Sequence, residues 1–223
     1  MKSRPIAPGI ARGFSLIEMI VVLAIISIIT TIALLGQGSF NRSIILTDTA
    51  YTIAFTIRDA QSRGLASNVF STVRNAGYGV HFSSATPKSY IEFADIVPSS
   101  PDSQGGLCPN HVITTGPEAK PGNCVYSNSS EIVRTFTLDR GFAISEFCGK
   151  DTSGVKRCSG YLEALDISFA RPDTQSVILG IRSGSPIGLT NATVTLSSPD
   201  GTAQRCISVS QVGQVSVSTG TCP

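Results

Sequence analysis

Glu18 is the one ionisable residue in an apolar run that extends from Phe14 to Leu35. A charge inside a membrane segment costs roughly 2.5–3.5 kcal/mol on insertion scales and usually marks a function. One explanation places Glu18 near the membrane interface, in a first helical turn where the helix dipole favours a carboxylate. The other is that cleavage after Gly13 frees an α-amine on Phe14, with a reference pKa of about 7.7–8.0, which Glu18 then neutralises. We favour the second, in which the ion pair forms only after processing.

The apolar run from Phe14 to Leu35 is long enough, as a helix, to cross a hydrocarbon layer about 30 Å thick. Three basic residues precede it, Lys2, Arg4 and Arg12, so the positive-inside rule predicts a cytoplasmic N-terminus and places everything after Leu35 on the other side. A secretory signal would have a shorter apolar stretch followed by a small-residue cleavage site, and this sequence has neither.

The net charge of +2 belongs to the N-terminus. Of the 17 basic residues, three precede Phe14, so the rest of the chain carries 14 basic and 15 acidic side chains. Net charge therefore gives no support to nucleic-acid binding.

The sequence Gly13-Phe-Ser-Leu-Ile-Glu18, followed by Met-Ile-Val-Val-Leu-Ala-Ile-Ile, resembles the processing and assembly motif of type IV prepilins and type II secretion pseudopilins. The resemblance implies cleavage between Gly13 and Phe14 by a membrane-embedded prepilin peptidase, and N-methylation of Phe14. It also implies extraction from the inner membrane, through an assembly platform, into a filament of such subunits. In that family, an acid at the position of Glu18 is thought to neutralise the amine of a neighbouring subunit.

Many members of that family have a proline toward the end of this segment, where the present chain has Gly36 and Gly38. Each glycine weakens a helix by about 1 kcal/mol, so local loosening is an open alternative here. Beyond them, apolar residues recur at three- and four-residue spacing and predict a helical stripe that packs on a sheet: Leu46, Ala50, Ile53, Ile57, Ala60 and Gly64. Phe14 to about Val69 could therefore form one long helix.

From Tyr78 onward, alternating apolar and polar residues predict strands. They are Tyr78–Phe82, Tyr90–Phe93, Ile132–Leu138, Leu165–Phe169, Ser176–Ile181, Ala192–Leu196, Arg205–Val209 and Gln214–Val217. The predicted fold is α+β and pilin-like, with a long N-terminal helix packed on an antiparallel β-sheet head. Its parts are a leader (1–13), a transmembrane or filament-core helix (14–35), an amphipathic helix (36–71) and a β-rich head (72–223). By pattern and short motifs, the C-terminal stretches also resemble H-type pseudopilins and related minor pilins.

Residues 97–130 are rich in proline and glycine and are predicted to form a long surface loop. Three acids in or beside it, Asp95, Asp102 and Glu118, fit no calcium-loop pattern and are interpreted as solvated. The two histidines, His81 and His111, have no helical metal-binding partner and are interpreted as structural or solvated. No catalytic residue, metal site or cofactor is predicted.

The six cysteines lie on the exported side of the predicted membrane segment, where disulfides are expected. They show no two-residue spacing of a zinc or redox motif. Pairing between sequence neighbours, one of fifteen arrangements, would join Cys108 to Cys124, Cys148 to Cys158 and Cys206 to Cys222. Only the last has a structural argument, since a hairpin about Val212-Gly213 brings its ends together.

Three functions remain open. The first is a structural subunit of a type IV filament, more in keeping with a minor pilin or pseudopilin than with the shaft protein. The second is a filament-borne DNA-binding pilin, for which the basic residues are Lys150, Lys156 and Arg157 in the Cys148–Cys158 loop, with Arg182 and Arg205 elsewhere. The third is an unprocessed, membrane-anchored surface domain.

Overall fold

A 50-residue helix, α1 (Leu16–Leu65), dominates the N-terminal part of the chain in the computed structural model. The structure describes residues 13–66, 69–97, 122–170, 174–220 and 222, without the side chains of 35–40. The predicted long helix is present, and it runs through Gly36 and Gly38. The chain divides into two compact units, Met1–Arg42 and Ser43–Pro223, which are described separately below.

The second unit contains two antiparallel sheets, so the α+β prediction is confirmed. The larger has the order β3-β2-β1-β6-β7-β8 and the smaller β11-β10-β9-β4-β5. The strands of the larger are β1 (Gly77–Ser83), β2 (Ser89–Asp95), β3 (Ile132–Thr137), β6 (Ala164–Phe169), β7 (Ser176–Arg182) and β8 (Ser185–Leu189). Those of the smaller are β4 (Ala143–Lys150), β5 (Lys156–Cys158), β9 (Asn191–Ser197), β10 (Gln204–Ser210) and β11 (Val215–Thr219).

The predicted helical stripe packs into the core of the second unit. Its apolar side chains are almost completely buried together with residues of both sheets. At Gly64, a Cβ atom would lie 2.3 Å from the carbonyl oxygen of Phe169 in β6. Only glycine permits this close approach of helix and strand.

Segment 122–126 covers the opposite face of the larger sheet. Cys124 and Leu179 of β7 share a small apolar cluster, and the hydroxyl of Ser168 donates to the carbonyl of Cys124 at 3.3 Å. Tyr126 packs on His81 of β1 with ring centroids 4.7 Å apart. The central strands are therefore buried on both faces, as in β6, where all six residues are buried.

The prediction of a surface loop over 97–130 is wrong at its C-terminal end. Gly122, Asn123 and Cys124 are buried, and a short 3₁₀ helix, Ser129–Glu131, leads into β3. Residues 98–121 lie outside the described part of the chain, together with Asp102, Cys108, His111 and Glu118.

Candidate functional site

The predicted cleavage point lies just before α1. Gly13, Phe14 and Ser15 precede the helix and are exposed, and the Phe14 side chain is 75% accessible. A Cβ atom on Gly13 would meet nothing within 4 Å. The described surroundings therefore leave the Gly13-Phe14 bond open to approach, and Gly13 has no packing role in them.

Glu18 lies in the first turn of α1. The carbonyl of Ser15 accepts hydrogen bonds from the backbone N–H groups of Glu18 and Met19, at 3.0 and 3.2 Å, and so begins the helix. A carboxylate in this turn is stabilised by the helix dipole. Its side chain is exposed and has no hydrogen bond or ion pair among the residues from 13 onward that the structure describes. Both explanations offered for Glu18 fit this position, and the amine partner exists only after cleavage.

The residues that follow are long and apolar enough to cross a membrane. The span Leu16–Leu34 has 19 residues, none of them buried by the part of the chain that the structure describes. At 1.5 Å per residue it covers roughly 28 Å, close to the thickness of a hydrocarbon core. The hydroxyls of Ser27, Thr30 and Thr31 donate to carbonyls four residues earlier at 2.7–2.8 Å. These polar groups are thus satisfied inside the helix, so the surface that needs a partner is apolar.

Residues 10–34 match the family model described as the prokaryotic N-terminal methylation motif. The N-terminus is that of a type IV pilin-like precursor. In such a precursor the motif implies processing by a prepilin peptidase and assembly with other pilins. No curated protein and no solved structure matches the chain. The matched residues end at position 34, and the head lies beyond them.

The head contains disulfides at predicted positions. Cys148 of β4 is bonded to Cys158 of β5, and Cys206 of β10 is bonded to Cys222. The second bond lies at the end of the β10–β11 hairpin. Cys124 is also disulfide-bonded, but Cys108 lies outside the described residues, so that pair stays a prediction.

Asp95 is buried, so its interpretation as a solvated acid is wrong. Its carboxylate oxygens accept hydrogen bonds from the backbone N–H groups of Asn123 and Cys124, both at 2.7 Å. Burial raises the pKa of Asp95 to about 8, although these two hydrogen bonds act in the opposite direction. A Cβ on Gly122 would lie 2.0 Å from this carboxylate, so glycine is required there.

Glu131, a second buried acid, holds the neighbouring backbone in the same way. Its Oε1 accepts from the N–H groups of Ile96 and Val97 at 3.0 and 2.9 Å, and its Oε2 from Ser127 at 2.7 Å. Asp95 and Glu131 thus fix the backbone on both sides of residues 98–121. Both acids act as structural clamps.

His81 is paired with Asp166, its direct neighbour across β1 and β6. The Nδ1 atom of His81 lies 2.7 Å from Oδ1 of the fully buried Asp166. Burial raises the pKa of Asp166, and His81 opposes that shift. The structural interpretation of His81 agrees with this position. Its partner was missed because Asp166 lies in a strand whose alternating pattern is typical of one-sided burial.

The fold brings two of the basic residues proposed for DNA binding together and places a third apart from them. The guanidinium groups of Arg157 and Arg182 both lie over the ring of Tyr161, at 4.6 and 3.9 Å from its centroid. Arg182, which is far from the Cys148–Cys158 loop in the sequence, therefore lies next to that loop in the fold. Arg205 is apart from it, because its guanidinium donates to the hydroxyls of Ser43 and Thr47 on α1.

Proposed function

We propose that this protein is a structural subunit of a type IV filament, a minor pilin or pseudopilin that serves pilus biogenesis or type II secretion. It is processed after Gly13 and assembles through the N-terminal part of α1. The observation that carries this proposal is the methylation motif on a helix whose mostly apolar 19-residue span, Leu16–Leu34, is not buried by the described part of the chain. A membrane would bury that apolar surface in the precursor, and neighbouring helices would bury it in the assembled filament.

The precursor is placed in the inner membrane as a single-pass protein, with its N-terminus in the cytoplasm and its head in the periplasm. Its partners are the prepilin peptidase that also methylates Phe14, other pilin or pseudopilin subunits, and the assembly platform. The length of the chain and its disulfide-bonded head support a minor rather than a shaft subunit. Quantifying the subunits of purified filaments tests that role, which a dominant band from this chain would contradict.

Mass spectrometry of the N-terminus tests processing. The expected mature chain begins with N-methylated Phe14 and lacks residues 1–13. Gly13→Val should leave the leader attached, because a side chain there obstructs the peptidase, while the open space around Gly13 leaves the fold unaffected. An intact Met1 in the wild-type chain would instead support the unprocessed, membrane-anchored surface domain.

Glu18→Ala tests assembly separately from processing. Cleavage should continue, but incorporation into filaments should fall, because the amine of Phe14 would enter the helix bundle without its counter-charge. Ser27→Ala is the matched control, because it removes a polar side chain from the same span. The hydroxyl of Ser27 already donates a hydrogen bond to the carbonyl of Leu23 and needs no partner from another subunit. Equal incorporation of the two variants would contradict a role for Glu18.

A second candidate function is DNA binding by the filament-borne head. It is supported by the proximity of Arg157 and Arg182 around Tyr161; Lys150 follows Gly149, the residue opposite Arg157 on β4. Phosphate contacts would give DNA affinity a steep dependence on salt. Charge reversal at Lys150 and Arg182 together should lower affinity and flatten that dependence, whereas reversal of the exposed Lys88 should not. Unchanged binding in the double variant would exclude this surface.

A further inference from the structure

The disulfide between Cys148 and Cys158 has an unusual position in the smaller sheet. The two cysteines are direct partners across the antiparallel strands β4 and β5. Their Cα atoms are 4.0 Å apart, whereas disulfides usually span about 4.4–6.8 Å between Cα atoms. Cys206 and Cys222, with Cα atoms 5.5 Å apart, lie within that range. A bond forced between directly opposed residues is more readily reduced than a relaxed one.

The bond is also accessible. Strand β5 has three residues and lies at the edge of its sheet, so no further strand among the described residues covers it. Cys158 is half-buried, as is Cys222 in the other described disulfide, while Cys148 and Cys206 are buried. Thiol–disulfide exchange needs an open line of approach to one sulfur, and Cys158 offers it.

The charges around the bond influence the thiolate that would leave. Lys150 and Lys156 are opposed two pairs further along the ladder, and therefore on the same face, and they line a cavity of about 80 Å³ together with Cys148. Positive charge stabilises a thiolate and makes it a better leaving group. Glu146 acts against this, because its carboxylate lies within 4.8 Å of both sulfurs.

The loop that joins the two cysteines is held by contacts other than the disulfide. Asp151 accepts hydrogen bonds from the N–H groups of Ser153 and Val155 and pairs with Arg157 at 3.0 Å. The N–H groups of Tyr161 and Leu162 both donate to the carbonyl of Cys158 at 2.7 Å. The two cysteines therefore stay opposite each other when the bond is broken, which allows it to form again.

We propose that Cys148–Cys158 is a reversible thiol–disulfide exchange site on the head, whose partner is a dithiol protein. A thiolate of the dithiol attacks Sγ of Cys158, the bond between the two cysteines breaks, and its electron pair leaves on Cys148 as a thiolate. The second thiolate of the dithiol then attacks its own sulfur in the mixed disulfide and releases Cys158. Two electrons thus pass to the head, its two thiolates take up protons from water, and the dithiol becomes a disulfide.

Graded reduction of the full chain in detergent, with dithiothreitol as the probe, tests this proposal. Free thiols are blocked with an alkylating agent and located by mass spectrometry. Cys148–Cys158 should reach half-reduction at a reductant ratio at least about ten-fold lower than Cys206–Cys222, which corresponds to about 30 mV. Simultaneous reduction, or earlier reduction of Cys206–Cys222, would overturn the proposal.

Two charge variants separate an exchange site from a merely strained bond. Lys150→Gln should slow reduction of Cys148–Cys158 by about two- to five-fold, and Glu146→Gln should speed it, because they change the leaving thiolate in opposite directions. Lys88→Gln is the control without effect. Equal rates in all three would contradict the assignment. The double variant Cys148→Ser/Cys158→Ser should keep the native near-UV spectrum, and loss of that spectrum would show that the bond is required for folding.

Discussion

The two halves of helix α1 are both rich in apolar residues, but they find their partners in different places. From Leu16 to Leu34 no residue is buried within the chain. From Leu46 to Ala60 the apolar stripe is inside the core of the head. The charged residues differ in the same way. Glu18 in the first half is exposed, whereas Arg63 in the second half lies 3.3 Å from the fully buried Glu92 of β2. The first half of the helix is therefore built for association, and the second for stability of the head.

Ile29 and Ile57 test this difference with the same residue type in the same helix. Ile57 is 0% exposed and Ile29 61% exposed. Ile57→Ala should lower the free energy of unfolding of the full chain by about 2–5 kcal/mol. Ile29→Ala should change it by less than about 0.5 kcal/mol. Urea unfolding in detergent, followed by the near-UV circular dichroism of the head tyrosines, measures both, and a comparable loss at Ile29 would contradict the division.

Gly64 tests how closely the second half is fitted to the sheet. Gly64→Ala should destabilise the head by about 1–3 kcal/mol, because the new Cβ would clash with the backbone of Phe169. Gly160→Ala is the control, since a Cβ there meets nothing within 4 Å. Unfolding of the two variants at the same urea concentration would contradict this close fit, because it would mean that the helix can move away from β6 to accommodate the new side chain.

Buried acids in the head predict a pH dependence that an exposed helix would not have. Burial raises the pKa of Asp95 to about 8, against about 3.9 in an unfolded chain. Between these values the folded state binds more protons, so stability should fall as pH rises, by up to about 1.4 kcal/mol per unit. Burial also raises the pKa of Asp166 and Glu92, which adds to the same trend.

Unfolding of the full chain between pH 5 and pH 8 measures this slope. Asp95→Asn should flatten it, although it also lowers stability by about 1–3 kcal/mol through loss of one of the two backbone hydrogen bonds. Asp151 does not affect this slope. Its pKa is lowered, mainly by the hydrogen bond from the N–H of Val155, so its contribution to stability changes only below about pH 4. An unchanged slope in the variant would assign the pH dependence to other groups.

The smallest effect is expected at the pair of Asp59 and Arg63 on the outer side of the helix. Their side chains are 30% and 32% exposed and lie 2.9 Å apart. Asp59→Asn should cost about 0.3–0.5 kcal/mol. Arg63→Met should cost more, because it also removes the cation that lies 3.3 Å from the buried Glu92 and leaves it only Arg134, its partner on β3. Equal losses in the two variants would show that Glu92 does not depend on Arg63.

Most of the fold could be predicted because hydrophobic periodicity decides it. The stripe from Leu46 to Ala60 and the eight alternating segments depend on local spacing. Strands β4, β5 and β8 were missed for physical reasons. In β4 the register shifts between Ile144 and Glu146, which interrupts the alternation. β5 is too short for a pattern, and β8 contains Pro186, which is tolerated because this strand lies at the sheet edge.

The candidate site at Gly13, Phe14 and Glu18 can be recognised in the sequence because its residues lie within six consecutive positions, and its role in processing and assembly stays a prediction. The clamps of the head could not, since Asp95 and Asn123 are separated by 28 positions. An alternating strand also looks the same whether one or both of its faces are covered. A useful signal was present at Gly122, where only a residue without a side chain leaves room for a buried carboxylate.

The two clamps also determine where this protein can be engineered. Asp95 and Glu131 bind five backbone N–H groups, two before residue 98 and three after residue 121. Both attachment points are therefore held by carboxylates of the described core, in addition to the disulfide of Cys124. Val97 and Gly122 are thus defined boundaries for inserting an epitope or affinity tag that labels assembled subunits, with Cys108 retained for its predicted bond to Cys124.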